Sequence, residues 1–150
     1  MSHVVQRLAL DDIMALRVRV LRKGTPTTHC NYPEDAYPDV VHLGIVDNGD
    51  VIATSTWFTK PCPELHGVAA MQLKGMAVDD QLQTGGLGRV VIDAGIEHAR
   101  ASGAEIVWAR ARDSALEFYV KCGFQIAGEG FIDEPTGMPH HIVVRHITTA

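Results

Sequence analysis

The apolar positions along the chain recur with two periods, one typical of strands and the other typical of helices. The segment HVVQRLAL, which begins at His3, has the β-branched content of a short edge strand. Four apolar residues between positions 13 and 21 then recur at helical spacing. We therefore predict a helix over about 12–22 whose N-terminus is capped by the carboxylate of Asp11 or Asp12.

A β-hairpin is the plainest local feature of the sequence. Two β-rich runs within VVHLGIVDNGDVIATSTWF flank the dipeptide Asn48-Gly49. Both residues readily adopt the positive φ of a type I′ turn, which favours a hairpin with strands over 40–47 and 51–59. The preceding segment, 23–39, contains three prolines, and we expect it to be an ordered loop that carries function.

The second half of the chain alternates strands with helices. The run AAMQLKGMAVDD reads as a strand, and its central glycine, Gly75, favours a β-bulge. The predicted helix GRVVIDAGIEHARASG follows, with Val90, Val91, Ala94 and Ala99 facing inward. The remaining predicted elements are the strand EIVWARA, the helix RDSALEFYVKCG capped by Asp113 or Ser114, and the strands FQIAGEGFI and PHHIVVRHI.

This order of elements predicts one α/β domain over residues 1–150, without repeats or linkers. The strands on either side of each crossover helix should be parallel, whereas the hairpin is antiparallel. Both tryptophans, Trp57 and Trp108, lie in predicted strands and are expected in the core.

Charge and cysteine content exclude several classes of protein. The net charge of −5 and the dispersed Lys and Arg residues do not form the basic stripe that binds nucleic acid. The three cysteines fit neither a disulfide framework nor a zinc site, which favours a reducing cytoplasm and no metal. The sequence has no export signal and no apolar run that would span a membrane.

A glycine-rich loop, LQTGGLG, leads directly into the second predicted helix. Such a loop presents several N–H groups to one point at the positive end of the helix dipole, which suits a phosphate. The NTPase phosphate loop is excluded because the residues after Gly88 are Arg89 and Val90 rather than Lys and Ser or Thr. The dinucleotide-binding fingerprint is excluded because Val91 occupies the position of its third small residue.

Three motifs in order resemble the GNAT (GCN5-related N-acetyltransferase) superfamily. Gln83, Gly86 and Gly88 satisfy Q-x-x-G-x-G; the run Gly75 to Val78 precedes it; and a helix with Ala115 and Tyr119 followed by Gly123-Phe124 comes after it. The segments QLKGMAV and GMPHHIVV are similar to the ElaA-like branch of that superfamily. The resemblance implies a mixed, mostly antiparallel sheet of about six or seven strands, flanked by three or four helices and splayed at a bulged central strand.

The resemblance also implies acetyl-CoA as co-substrate and a set of site residues. Pantetheine would bind along the backbone of Met76, Ala77 and Val78, and Tyr119 would donate a proton to the departing sulfur. We count Arg112, which replaces an asparagine common in the family, with the cofactor-binding residues. The pyrophosphate would lie on the loop formed by Gln83, Thr84, Gly85, Gly86, Leu87, Gly88 and Arg89.

The general base differs from the usual family pattern. Many members carry a glutamate where this chain has Gln72, and a glutamine cannot accept the proton. His66, Glu129, His140 and His141 are the alternatives, and His140 is our first choice. A covalent role for Cys30 is disfavoured because only its sequence neighbour His29 is available as a partner.

We therefore predict a cytoplasmic N-acetyltransferase that moves an acetyl group directly from acetyl-CoA to a primary amine of a small molecule or peptide, with a homodimer left open. Its acidic loops favour a cationic acceptor such as a polyamine or a peptide amine. The segments expected to line the acceptor pocket are 23–39, 60–66 and the turn 129–138. They contain the acids Glu34, Asp35, Asp39, Glu64, Glu129, Asp133 and Glu134. There are two alternatives. One is a non-catalytic acyl-CoA sensor with the same fold, and the other is a different α/β domain that binds a nucleotide such as NAD or ATP.

Overall fold

The computed structural model describes residues 3–83 and 85–147. Seven strands form one sheet in the order β1-β2-β3-β4-β5-β7-β6, with three α-helices packed against it. This confirms the expected fold class. The elements are β1 (Gln6–Leu8), α1 (Leu10–Leu21), β2 (Val41–Asp47), β3 (Asp50–Thr59), β4 (Ala70–Val78), α2 (Leu87–Ala101), β5 (Ile106–Arg112), α3 (Leu116–Lys121), β6 (Gln125–Ile132) and β7 (Pro139–His146).

Strand pairing is antiparallel throughout the sheet except between β4 and β5, which are parallel and joined by α2. This confirms the predicted direction across the first crossover. Strands β5 and β6 also run the same way, but they are not neighbours because β7 lies between them and pairs with both. The hairpin turn has the expected positive φ at Asn48 (51°) and Gly49 (83°).

Helix α1 begins two residues earlier than predicted, and the predicted cap is wrong. Its N-cap is Ala9, so neither Asp11 nor Asp12 occupies that position. The carboxylate of Asp12 instead accepts a hydrogen bond from the Ala9 N–H at 3.0 Å. A carboxylate in the first turn stabilises the helix through its dipole from this position as well.

Helix α2 packs closely against β3 at Gly95. A Cβ placed on Gly95 would lie 1.7 Å from the ring of Trp57, so only glycine fits there. Val91 and Ala99 face this core as predicted, but the inward assignment of Val90 is wrong because its side chain is 40% exposed. Leu87, Ile92 and Ile96 complete the buried stripe.

Helix α3 is shorter than the sequence indicates. Residues 113–115 form a 3₁₀ turn, and the α-helix itself has six residues. The predicted caps are wrong, since the N-cap is Ala115 and the Asp113 carboxylate contacts His141 Nδ1 at 2.7 Å. Gly123 ends the helix with a φ of 91°, as expected.

In the described part of the chain, no helix is both long and apolar enough to cross a bilayer. Cys30, Cys62 and Cys122 are free and buried. Trp57 and Trp108 both lie in the core, as predicted.

Candidate active site

The central strands β4 and β5 separate after a short paired stretch. Their pairing covers only Ala70–Gln72 against Ile106–Trp108. On its other side β4 carries a bulge, where the register with β3 shifts between Thr54 and Thr56, opposite Gly75 and Met76. The edge of β4 from Leu73 to Val78 therefore has no strand partner on the side of β5. The register shift at Gly75 confirms the predicted bulge.

Gly75 permits this bulge because its φ is 65°, a conformation that side chains rarely adopt. A Cβ at this position would also lie 3.0 Å from Nε of Arg17 and 3.1 Å from the ring of Tyr32. The bulge thus brings the β4 backbone against α1 and the loop that follows it.

The glycine loop sits at the N-terminus of α2. Gly86 is the N-cap with a φ of 79°, and no atom lies within 4 Å of a Cβ placed on it, so its outer side is open. Gly88 is covered instead, because its Cβ would lie 2.9 Å from the ring of Phe118 on α3. Gln83 donates a hydrogen bond to the Val78 carbonyl at 3.1 Å and ties the loop to the end of β4.

Of the other predicted loop residues, Gly85 is exposed, Leu87 is buried, and Arg89 is exposed and reaches the carbonyl of Lys121 at 3.4 Å. Thr84 lies outside the described residues. The N–H groups in the first turn of a helix have no intrahelical partners, so the open side of Gly86 borders free donors.

Different helices cover the two faces of the sheet, which we call the α1 face and the α2 face. The α2 face carries α2 and α3 and includes Val107 and Ala111 in its core. The α1 face carries α1 and the loop 23–39. Gln72, Lys74, Trp108, Arg110 and Arg112 lie on the α1 face, since side chains alternate along β4 and β5.

A cavity of about 660 Å³ opens between the separated strands toward the α1 face. This volume falls within the range of sites for small ligands. Gln72 to Met76 of β4 form one wall, and Tyr119 and His140 lie in the remaining lining. The predicted cofactor strand and the two predicted catalytic side chains therefore border one space, although Gln83 and Arg89 do not line it.

Tyr119 is buried between two aromatic rings, with edge-to-face contacts to Phe118 at 5.3 Å and Phe124 at 5.4 Å between ring centroids. Burial raises the pKa of Tyr119 above its ordinary value of 10.0. The phenol therefore keeps its proton at neutral pH and is available as a proton donor.

Gln72 and His140 are both buried side chains that line the cavity. Gln72 Oε1 has no hydrogen-bond partner among the described residues, which leaves a buried acceptor unsatisfied at the cavity wall. His140 Nδ1 lies 2.9 Å from the Met138 carbonyl. A carbonyl can only accept, so Nδ1 carries a proton and the neutral ring holds its lone pair on Nε2.

The other candidate bases are placed less favourably. His141 lies on the opposite face of β7 and contacts Asp113. His66 and Glu129 are exposed and do not line the cavity. Cys30 is buried, with Sγ 3.4 Å from the Tyr32 hydroxyl, and is also absent from the cavity lining.

The charge of the cavity differs from the sequence expectation. Of the seven acids counted in the surrounding segments, only Asp133 lines it, and Arg110 binds this carboxylate at 2.9 Å. Glu34 lies behind the wall, where it accepts hydrogen bonds from Lys60 at 2.8 Å and Lys74 at 2.9 Å. The expectation of an acidic pocket is wrong because the charges on β4 and β5 decide its sign. Five cations line the cavity: Arg22, Lys60, Lys74, Arg110 and Arg112.

Arg112 does not lie at the glycine loop. Its guanidinium donates a hydrogen bond to the carbonyl of Leu21, at the C-terminal end of α1, and so crosses the mouth of the cavity on the α1 face. This position follows from its place at the end of β5, in register with His140 of β7.

A buried arginine anchors the loop 23–39, and sequence reasoning missed it. Arg17 is fully buried on α1 and binds both carboxylate oxygens of Asp35 at 2.9 Å, as well as the hydroxyl of Thr56 at 2.7 Å. Its guanidinium also lies 4.5 Å from the ring centroid of Tyr32. The position of Arg17, one residue after Leu16 on the apolar face of α1, is the signal that could have revealed it.

No cluster of three or more His, Cys, Asp or Glu side chains that could hold a metal ion occurs among residues 3–83 and 85–147.

Comparisons with known proteins agree on one family. The sequence profile of the acetyltransferase (GNAT) family matches residues 10–124. The chain is 30% identical over 140 residues to the uncharacterised N-acetyltransferase YitI of Bacillus subtilis strain 168, which covers 93% of each chain.

Solved structures share the fold. Escherichia coli ElaA superposes with a TM-score of 0.76 at 17% identity, covering 97% of this chain and 100% of ElaA. An aminoglycoside 6′-N-acetyltransferase complexed with coenzyme A superposes with a TM-score of 0.72 at 11% identity, covering 98% of each chain. On the match of its own sequence to the profile and to YitI, the chain belongs to the acetyltransferase (GNAT) family and is an acyltransferase.

Proposed function

We propose that this chain is an acetyl-CoA-dependent N-acetyltransferase that transfers the acetyl group directly to a primary amine within a ternary complex. The observation that carries the proposal is the separation of β4 from β5 beside Gly75, which opens an unpaired strand edge onto the cavity that contains Tyr119. An extended ligand can pair with such an edge as an added strand would.

The residues present fit coenzyme A. The unpaired edge at Met76, Ala77 and Val78 would hold pantetheine through backbone groups, and the loop from Gln83 to Arg89 would hold the pyrophosphate. The open side of Gly86, at the positive end of α2, leaves room for phosphate oxygens. When bound, acetyl-CoA supplies an activated thioester.

Tyr119 is proposed as the acid that delivers a proton to the leaving sulfur. Its side chain reaches the cavity from α3, and packing between Phe118 and Phe124 fixes the ring. Since burial raises its pKa, the hydroxyl is protonated at neutral pH and can donate its proton to the sulfur as negative charge develops there.

The acceptor amine must lose a proton before it can attack. His140 is the proposed base, because its Nε2 lone pair belongs to a side chain that lines the cavity. The cationic lining assists, because neighbouring positive charges lower the pKa of an ammonium group. A glutamate at position 72 would oppose this effect, whereas neutral Gln72 does not.

The initial-velocity pattern with acetyl-CoA and the amine both varied tests direct transfer. We expect intersecting lines and no acetylated protein in the intact mass spectrum after incubation with acetyl-CoA alone. The competing route through an acetylated Cys30 predicts parallel lines and a mass gain that the Cys30→Ala variant loses. The burial of Cys30 outside the cavity lining disfavours that route.

A further inference from the structure

Two arginines at the mouth of the cavity have no carboxylate partner. Among the described residues, Arg110, Lys60 and Lys74 each form an ion pair, whereas Arg22 and Arg112 do not. Arg112 and Arg22 both donate to the Leu21 carbonyl, the latter at 3.4 Å, so the two guanidiniums converge on one atom.

This arrangement leaves positive charge uncompensated. Burial and then the neighbouring charge of Arg22 lower the pKa of Arg112, and the opposing contribution of Asp133, which is itself paired with Arg110, does not cancel this effect. The negative end of the α1 dipole, at the Leu21 carbonyl, offsets only part of this charge.

Hydrogen-bond donors also remain on the pair. A guanidinium has five N–H donors. Arg112 uses one of them on Leu21, and Arg22 uses Nε on the His29 carbonyl at 2.6 Å besides its contact with Leu21. Both side chains line the cavity, so unused donors of the fork-shaped groups border the space that a ligand would enter.

The arginine pair is not part of the glycine loop but lies close to it, since Lys23, next to Arg22, is 3.4 Å from Asp80, and Asp80 accepts a hydrogen bond from Gln83 of the loop. The loop precedes α2 and packs through Gly88 on Phe118 of α3, on the α2 face. Arg22 and Arg112 meet at the end of α1, on the opposite face. Arg112 is in register with His140, the proposed base.

We propose that Arg22 and Arg112 bind the carboxylate of the acceptor, so that the substrate is a small amine bearing a carboxylate near its amino group, such as an amino acid. Planar guanidinium forks match the geometry of a carboxylate. The carboxylate of the acceptor neutralises the arginine pair. This inference rests on the proposed acetyltransferase function.

The test compares amino acids with their amides, which keep the amine and lose the anion. We expect the wild type to acetylate the amino acid with a kcat/KM higher by about tenfold or more, because an amide leaves the arginine pair without a counter-charge. Arg112→Met should abolish this preference and leave the KM for acetyl-CoA within about twofold, whereas Arg112→Lys should keep part of it. Arg19→Met is the matched control, since that side chain is exposed and pairs with Asp79 outside the cavity.

Any of the following outcomes would overturn the inference: equal turnover of amides, a retained preference in Arg112→Met, or an increase in KM confined to acetyl-CoA, which would assign the pair to the cofactor. A preference for phosphorylated amines over amino acids would also overturn it. Turnover of uncharged amines alone would leave the proposed function standing while the inference fails.

A second measurement does not depend on turnover. Calorimetric titration of the protein in saturating coenzyme A with N-acetyl amino acids and with their amides measures recognition of the anion directly. We expect binding of the acids to weaken about tenfold or more in Arg112→Met and to be unchanged in Arg19→Met. Equal affinity for acids and amides in the wild type would overturn the inference even if no amine is acetylated.

Discussion

Arg112 of β5 and His140 of β7 are cross-strand partners whose side chains both line the cavity. Strand register thus fixes Arg112, which would bind the carboxylate of the acceptor, next to His140, which would deprotonate its amine. Their spacing does not depend on the conformation of a loop.

Replacing His140 should remove the general base and leave the fold intact. We expect His140→Gln to lower kcat/KM by about a hundredfold, because general base catalysis is typically worth about 10²–10⁴. His141→Gln is the control, since His141 lies on the other face of β7. A wild-type kcat/KM in His140→Gln would contradict the assignment of His140 as the general base.

Replacing Tyr119 should affect the chemical step more than binding. We expect Tyr119→Phe to lower kcat about tenfold or more, about 1.4 kcal/mol, while the Kd of coenzyme A changes little. The ring contacts with Phe118 and Phe124 are retained in this variant, so thermal unfolding should be nearly unchanged. A wild-type rate in Tyr119→Phe would remove the residue from the mechanism.

Glycine at position 86 should be required for binding of the pyrophosphate. We expect Gly86→Glu to abolish detectable coenzyme A binding in calorimetry, because the carboxylate repels phosphate at the α2 N-terminus. The control Gly86→Ala separates the effect of charge from that of backbone strain. Any side chain at a φ of 79° costs about 1 kcal/mol, but alanine adds no charge that would repel phosphate. Retained affinity in Gly86→Glu would place the pyrophosphate elsewhere.

The ion pairs of Glu34 should make stability depend on pH in acid. Burial alone would raise the pKa of Glu34, but the hydrogen bonds from Lys60 and Lys74 outweigh it and lower the pKa from 4.5 to about 2. The contribution is therefore complete above the unfolded value of 4.5 and is lost as the pH falls toward about 2. Urea unfolding across this window should show a smaller loss of stability in Glu34→Gln than in the wild type. Parallel pH dependence in the two proteins would contradict this assignment.

Local sequence patterns were sufficient for the order of the elements and for the bulge in β4. Asn48-Gly49 predicted the hairpin turn, and Gly75 predicted the bulge, because both signals depend on φ at single residues. The position of Trp108 in a predicted strand also predicted its burial.

The residues proposed to bind the acceptor amine are brought together by long-range strand pairing, so local sequence patterns could not predict their arrangement. The insertion of β7 between β5 and β6 sets His140 beside Arg112, and no local pattern specifies that order. Counting acids in loops missed the charge of the cavity, because Lys74 and Arg112 lie in strands and because Glu34 lies outside the cavity lining, paired with Lys60 and Lys74. Arg17, buried on an apolar helix face, was missed because its partner Asp35 is distant in sequence.

The most direct test of acetyl transfer incubates the wild type with acetyl-CoA carrying an isotopically labelled acetyl group and a mixture of amino acids, and follows free thiol and labelled products by mass spectrometry. We predict labelled N-acetyl amino acids in amounts equal to the coenzyme A released, both strongly reduced in Tyr119→Phe. Tight binding of coenzyme A without thiol release, in this mixture and with any other amine, would contradict the account and favour a non-catalytic acyl-CoA sensor.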